Sequence, residues 1–291
     1  MTSLPALPLD EWEATKETLH LYLQIVGKIK VKLSHHINHW WHISYHLTSR
    51  GLTTTPIPYD AGTFEIEFDF IDHQVVITTS GGERRIIPLS ARPVAEFYRE
   101  VMETLAALGI EVRILARPYG VPMTEPFAED MTHASYDREY VERFFQIISA
   151  AEQVFREFRG RFIGKCSPVH LFWHSFDLAV TRFSGRPAPI AEGADPVTRE
   201  AYSHEVISAG FWAGDANVRG AAFYAYAAPE PAGLREEPLR PSSARWVESN
   251  GSSMALLMYD DLRASATPRE DLLAFLESSY QAGARRAAWD V

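Results

Sequence analysis

The chain has 291 residues, 46% apolar and 23% charged, enough for one large domain or two ordinary ones with real cores. A formal net charge of −10 repels phosphate backbones and anionic surfaces, so neither a nucleic-acid nor a membrane partner is expected. The single cysteine, Cys166, excludes an intrachain disulfide and a cysteine-built zinc site.

Residues 1–10 have no basic residue and no long apolar run, so they do not read as a signal peptide. No apolar stretch approaches the roughly 18 residues a membrane helix needs. A cytoplasmic protein is the expectation. Residues 12–33 read as a helix: Leu19, Tyr22, Leu23, Val26, Ile29 and Leu33 recur at three- and four-residue steps. A strand is expected over 39–49. Another is expected over 63–71, where Phe64, Ile66, Phe68 and Phe70 alternate with Glu65, Glu67 and Asp69 as a wet face. Two more follow over 75–79 and 84–89. Ser90 is expected to cap a helix that begins near Pro93 and ends before Gly109, and 111–115 reads as a short strand.

Pro118, Gly120, Pro122 and Pro126 then mark a linker. Asp137 opens a second long helix, with Val141, Phe144, Phe145, Ile148, Ala151, Phe155 and Phe158 on its stripe. The basic residues Arg156, Arg159, Arg161 and Lys165 read as its solvated end. A strand over 169–182, an irregular segment to Gly220, strands over 223–227, 245–248 and 254–259, and a helix over 268–286 complete the chain.

The order repeats: helix, meandering strands, helix. Trp41-His42 with Arg50 echoes Trp173-His174 with Arg182, and Ser90-Ala91-Arg92-Pro93 echoes Ser265-Ala266-Thr267-Pro268. The expected fold is α+β, with two related helix–antiparallel sheet–helix halves, an internal pseudo-duplication, forming one compact unit. The first half covers 1–117, the Pro-rich linker 118–136, and the second half 137–291 with an insertion around 184–241. One mismatch stands. The face carrying Trp40, His42, Ser44, His46 and Thr48 is mainly polar, whereas Phe172, His174, Phe176, Leu178 and Val180 are mostly apolar. Opposite faces or a bulge would account for it.

Chemistry concentrates in four places. Asn38-His39-Trp40-Trp41-His42 is rich in imidazole and indole. On a strand His42 and His46 would stand about 13 Å apart, too far for one ion. Around Lys165 and Arg182, His170 and Asp177 sit among apolar residues, and buried ionisable groups need partners or serve a site. Tyr202-Ser203-His204-Glu205 and Trp212 fall in the insertion, where specificity often resides. His20 shares a helix face with Gln24. The candidate catalytic residues are therefore His170, Asp177, His204 and Glu205. The candidate ligand-binding residues are His20, Asn38, Trp40, Trp41, His42, Arg50, Lys165, Trp173, Arg182, Tyr202, Trp212 and Tyr224. Arg50 or Arg182 would hold an anionic group.

Phe64-Glu-Ile-Glu-Phe-Asp-Phe70, Ser167-Pro-Val-His170, Ser175-Phe-Asp-Leu-Ala-Val-Thr-Arg-Phe-Ser-Gly185, Glu200-Ala-Tyr-Ser-His-Glu-Val206 and Phe223-Tyr-Ala-Tyr226 resemble an uncharacterised bacterial family, the domain of unknown function 5996. The likeness runs from His20 to Trp289-Asp290. It implies no particular activity. It implies that His170 and Asp177 belong to the family pattern, and that position 174, often Gly in the family, holds no catalytic residue. The expectation is a small-molecule-binding protein, an anionic ligand among those it could take, with an aromatic, His-containing cleft near the junction of the halves. No cofactor is expected, with a metal left open. An acid–base or metal-dependent enzyme, and a structural module without a small-molecule site, are the alternatives. The sequence carries no signal for an oligomeric state.

Overall fold

The computed structural model describes residues 4–190, 192–249 and 251–290. The first apolar stripe forms helix α1 (Leu9–Leu33), buried along most of its length because sheet and helices surround it. Strands β1 (His46–Leu47), β2 (Gly51–Thr53), β3 (Ile57–Tyr59), β4 (Gly62–Asp69), β5 (Gln74–Thr79) and β6 (Arg84–Pro88) follow, then helix α2 (Val94–Ala107). The second half begins with helix α3 (Arg138–Gly160), whose N-cap Asp137 accepts from the Glu139 and Tyr140 amides. Strands β7 (His170–Phe172) and β8 (Asp177–Pro187), helix α4 (Pro196–Ala201), and strands β9 (His204–Trp212), β10 (Ala222–Ala228), β11 (Arg245–Ser249) and β12 (Ser252–Met258) come next. Helices α5 (Tyr259–Arg263) and α6 (Pro268–Arg286) close the chain.

These strands make two six-stranded antiparallel sheets, ordered β1-β2-β4-β5-β6 with β3 also paired to β4, and β11-β12-β10-β9-β8-β7. The helices flank them, so the architecture is α+β with duplicated-looking halves. The sheets meet edge to edge. Tyr45 and Leu171 exchange both backbone hydrogen bonds, each 2.8 Å. Beside this seam, buried His170 donates from Nδ1 to Ser44 Oγ (2.8 Å), and Ser44 Oγ donates to the Trp41 carbonyl (3.0 Å). No described helix is long and apolar enough to cross a membrane.

Several local expectations change. Residues 39–49 are not one strand: Asn38–Ile43 is a 3-10 turn in which His39 (φ 59°) and Trp40 (φ 60°) are left-handed, and β1 begins at His46. Residues 169–182 split into β7 and β8 around a hairpin turn containing Trp173 and His174. Trp41-His42 thus precedes the first strand of its half, while Trp173-His174 follows the first strand of its own. The two dipeptides are not structural equivalents, and the apparent face mismatch came from aligning them. The Pro93 and Pro268 landmarks do mark helix starts, Pro93 as the N-cap of α2 and Pro268 as the first residue of α6. Ser90 is not a cap, since Pro93 occupies that position without a side-chain bond. Residues 111–115 form no strand. The segment read as irregular up to Gly220 contains α4 and all of β9, an inner strand of the second sheet. Asp69 departs from the wet face. It is buried and accepts from Arg50 Nε (2.7 Å) and the Ile71 and Asp72 amides.

Candidate functional site

The two faces of the second sheet differ in chemistry. One carries Leu178, Val180, Ile207, Ala209, Phe211, Phe223 and Ala225, buried on the side of α3 and α6. The other follows from the same registers: Asp177 opposite Trp212, Ala179 opposite Gly210, Thr181 opposite Ser208, and Phe183 opposite Val206. Tyr224 and Tyr226 continue these rows on β10. Aliphatic and Phe side chains give way here to tyrosines, an indole, hydroxyls and one carboxylate. This face floors a cleft of about 1480 Å³. Its walls come from Lys28 and Lys32 of α1, Arg113, Tyr119, the 3-10 turn with His39, Trp40 and Trp41, and Tyr202 just beyond α4.

On the floor, Asp177 is a hub. Ser175 Oγ donates to one of its oxygens and Tyr224 Oη to the other. Tyr224 reaches it by lying over Gly210, where a Cβ would overlap the tyrosine ring and stand 2.5 Å from the Leu178 carbonyl. Burial first, then the Asp177 charge, pushes the Tyr224 phenol well above its ordinary range. Burial depresses the His174 imidazole, against the pull of Asp177. Further along, Thr181 Oγ1 and Ser208 Oγ are 2.9 Å apart, as are the Tyr202 and Tyr226 hydroxyls.

The His-Trp turn forms the rim. Lys165 Nζ donates to His39 Nε2 (2.6 Å), and His39 Nδ1 donates to the Glu200 carbonyl (3.1 Å). Burial and the neighbouring Lys165 charge hold His39 below its usual value, which suits a neutral ring accepting from an ammonium. The Glu200 carboxylate accepts from the His39 amide (3.1 Å) and from His36 Nε2 (2.9 Å). One α4 residue thereby holds two successive left-handed residues in place.

The structure thus brings Trp40, Trp41, Trp173, Asp177, Tyr202, Trp212 and Tyr224 to the cleft. Lys165 and His204 stand behind His39, the latter with ring centres 5.9 Å apart. Other candidates lie elsewhere. His170 is at the seam, held down to about 3 by burial and by the charges of His46 and Lys30. Glu205 faces the other way and pairs with Arg186 (2.7 Å). Arg50 pairs with Asp69 and Asp72. Arg182 is buried on the opposite face of β8, its guanidinium 3.4 Å from the Phe158 ring centre and 4.2 Å from that of Tyr280. Asn38 is exposed, and His42 Nδ1 accepts from the Ile37 amide (3.1 Å). His20 is buried beside the cleft and donates from Nε2 to the Trp173 carbonyl (2.7 Å), fixing the hairpin turn.

Sequence reasoning missed Lys28, Lys32, Arg113, Tyr119, Thr181, Ser208 and Tyr226. The signal was present as alternation in Asp177-Leu-Ala-Val-Thr-Arg-Phe183 and Ser208-Ala-Gly-Phe-Trp212, where one parity is apolar or Arg and the other mixes polar and small residues with a ring. Three indole N–H groups at the cleft, of Trp40, Trp173 and Trp212, have no protein acceptor. Trp12 and Trp289 share that property away from it, so these buried donors do not distinguish the cleft. Among the described residues, no group of three or more His, Cys, Asp or Glu is arranged to hold a metal ion.

A family model described as "Family of unknown function (DUF5996)" matches residues 4–291. No curated protein and no solved structure matches the chain.

Proposed function

We propose that this chain, which belongs to the DUF5996 family, uses the open face of its second sheet to bind a small organic acid with an apolar, preferably flat, body. The observation that carries the reading is the change of chemistry across that sheet. One face is mainly apolar, aliphatic and Phe side chains together, and covered by helices. The other is aromatic and hydroxylic, and floors a cleft of about 1480 Å³. Such a lining, with a few convergent polar groups, is the usual character of a small-molecule site.

The acidic end is assigned to the wall formed by Lys28, Lys32 and Arg113. Lys28 stands 5.7 Å from the Trp173 ring centre and 5.9 Å from that of Tyr119, so a bound anion would lie beside the rings. The reading is one of binding and assigns no reaction.

The test is a fluorescence titration with 1-anilinonaphthalene-8-sulfonate, a flat aryl sulfonate. One saturable site is expected. Ser208→Trp, which adds an indole at a buried position lining the floor, should abolish it in protein whose circular dichroism shows it folded. Binding that persists unchanged in a folded Ser208→Trp protein would place the probe elsewhere and defeat the reading.

A further inference from the structure

We infer that Asp177 makes the floor of this cleft a seat for an organic cation, a protonated amine or a quaternary ammonium, so that the ligand is an acid carrying a positive group as well. The inference rests on the cleft reading above and adds the ligand's second end.

Asp177 is only 9% exposed and sits among rings. Trp212 is its cross-strand partner on the same face. The Trp212 and Tyr224 ring centres are 5.6 Å apart, and Tyr224 stacks on Tyr226 at 6.1 Å. Among the described residues Asp177 forms no ion pair with a lysine or arginine. Its protein partners are the hydroxyls of Ser175 and Tyr224. Those donors solvate a carboxylate without neutralising it. A carboxylate has about four acceptor positions, so two remain open. The adjacent His174 is disfavoured as counter-ion because its buried ring is held toward the neutral form.

A buried carboxylate without a counter-charge is costly in an aromatic surround. An incoming cation would relieve that cost and gain from the ring faces beside it. The arrangement is built in. Gly210 leaves room for the Tyr224 ring, and Tyr224 and Ser175 fix both carboxylate oxygens, leaving the carboxylate little freedom to turn away. Elsewhere the acidic groups at the cleft have other work. Glu230 accepts from the Ser253 amide (2.7 Å), and Asp215 accepts from the Asn217 and Val218 amides.

The test titrates benzyltrimethylammonium into the full chain, followed by tryptophan quenching, with 1-anilinonaphthalene-8-sulfonate titrated in parallel. Asp177→Asn keeps the shape and removes the charge. It should weaken the cation at least about tenfold while the sulfonate binds as well or better. Tyr224→Phe, which removes a donor but keeps the charge and ring, should retain the cation within about threefold. This second variant guards against a misfolded Asp177→Asn protein. Equal cation affinity in wild type and folded Asp177→Asn would overturn the inference, as would no cation binding by a wild type that takes the sulfonate. If the cation behaves as expected but the sulfonate does not bind, the Asp177 seat stands and the organic-acid reading falls.

Discussion

Tyr224 Oη donates to Asp177 Oδ2 although the two residues lie on strands separated by β9. The bond crosses the sheet above Gly210, which pairs with Tyr224 on one side and Ala179 on the other. A tyrosine spans that gap only because position 210 has no side chain. The sheet is thereby shaped around a carboxylate rather than packed shut.

Gly210→Ala follows directly. The added methyl would overlap the Tyr224 ring and press on the Leu178 carbonyl, and backbone cannot yield cheaply. The expected loss is about 1–3 kcal/mol of stability, read by urea unfolding. Benzyltrimethylammonium affinity should fall further than in Tyr224→Phe, because the Tyr224 ring itself is displaced from beside Asp177. A variant with wild-type stability and cation affinity would show that Tyr224 is not held across this glycine.

Depressed imidazoles set the acid limit of stability. His170 is depressed to about 3, and His20 and His46 to about 4, in each case chiefly by burial. Each is neutral in the folded chain near pH 5, while the unfolded chain protonates near its ordinary value of about 6.5. The unfolded state therefore binds more protons. Stability present above about pH 6.5 is lost as pH falls toward 4, by at most about 1.4 kcal/mol per unit per imidazole. Chemical denaturation from pH 7 to 4.5 should show this slope, and His170→Asn should flatten it. An unchanged slope in that variant would remove His170 from the account.

Arg182 was a sequence candidate for holding an anion, and the structure gives it a different task. Its guanidinium lies over Phe158, Phe162 and Tyr280, is bonded to the Phe158 carbonyl and stands 3.6 Å from Glu277. Arg182→Ala leaves a cavity and takes the donor from the Phe158 carbonyl, while Glu277 keeps Arg161 (3.4 Å), at a cost of about 3 kcal/mol. Sulfonate affinity should stay within about twofold, since the residue faces away from the cleft; RT ln 2 is only about 0.4 kcal/mol. A large affinity loss at unchanged stability would reverse that assignment.

Glu200 ties α4 to the rim turn through His36 and the His39 amide. Left-handed backbone at two non-glycine residues costs roughly 1–3 kcal/mol each and persists only where neighbours impose it. Glu200→Ala should relax that turn. Hydrogen–deuterium exchange is expected to accelerate in peptides spanning 36–43 and 196–203, and not in α3. Unaltered exchange there would mean that packing alone holds the turn.

Much of the framework was legible because it obeys simple periods. The stripes of α1, α3 and α6 and the alternation of β4 are single-face patterns. The site was less legible for identifiable reasons. Residues 38–43 look strand-forming by composition, yet Glu200, some 160 positions away, supplies the contacts that favour a left-handed turn. Trp173 and His174 match Trp41 and His42 in letters but stand after a strand instead of before one. β9 was hidden because His204, Glu205, Ser208 and Gly210, small by requirement, interrupt its apolar residues. Lys28 and Lys32 look like ordinary solvated lysines on α1 until the second sheet is placed beside them.

The central claim is that the open face of the second sheet is a binding site. A crystal structure of the protein with 1-anilinonaphthalene-8-sulfonate tests it most directly. The account predicts one molecule on the floor formed by β8, β9 and β10, its rings beside Trp173 or Trp212 and its sulfonate within reach of Lys28, Lys32 or Arg113. A probe bound only outside that floor, with Asp177, Trp212 and Tyr224 packed shut beneath their neighbours, would contradict it.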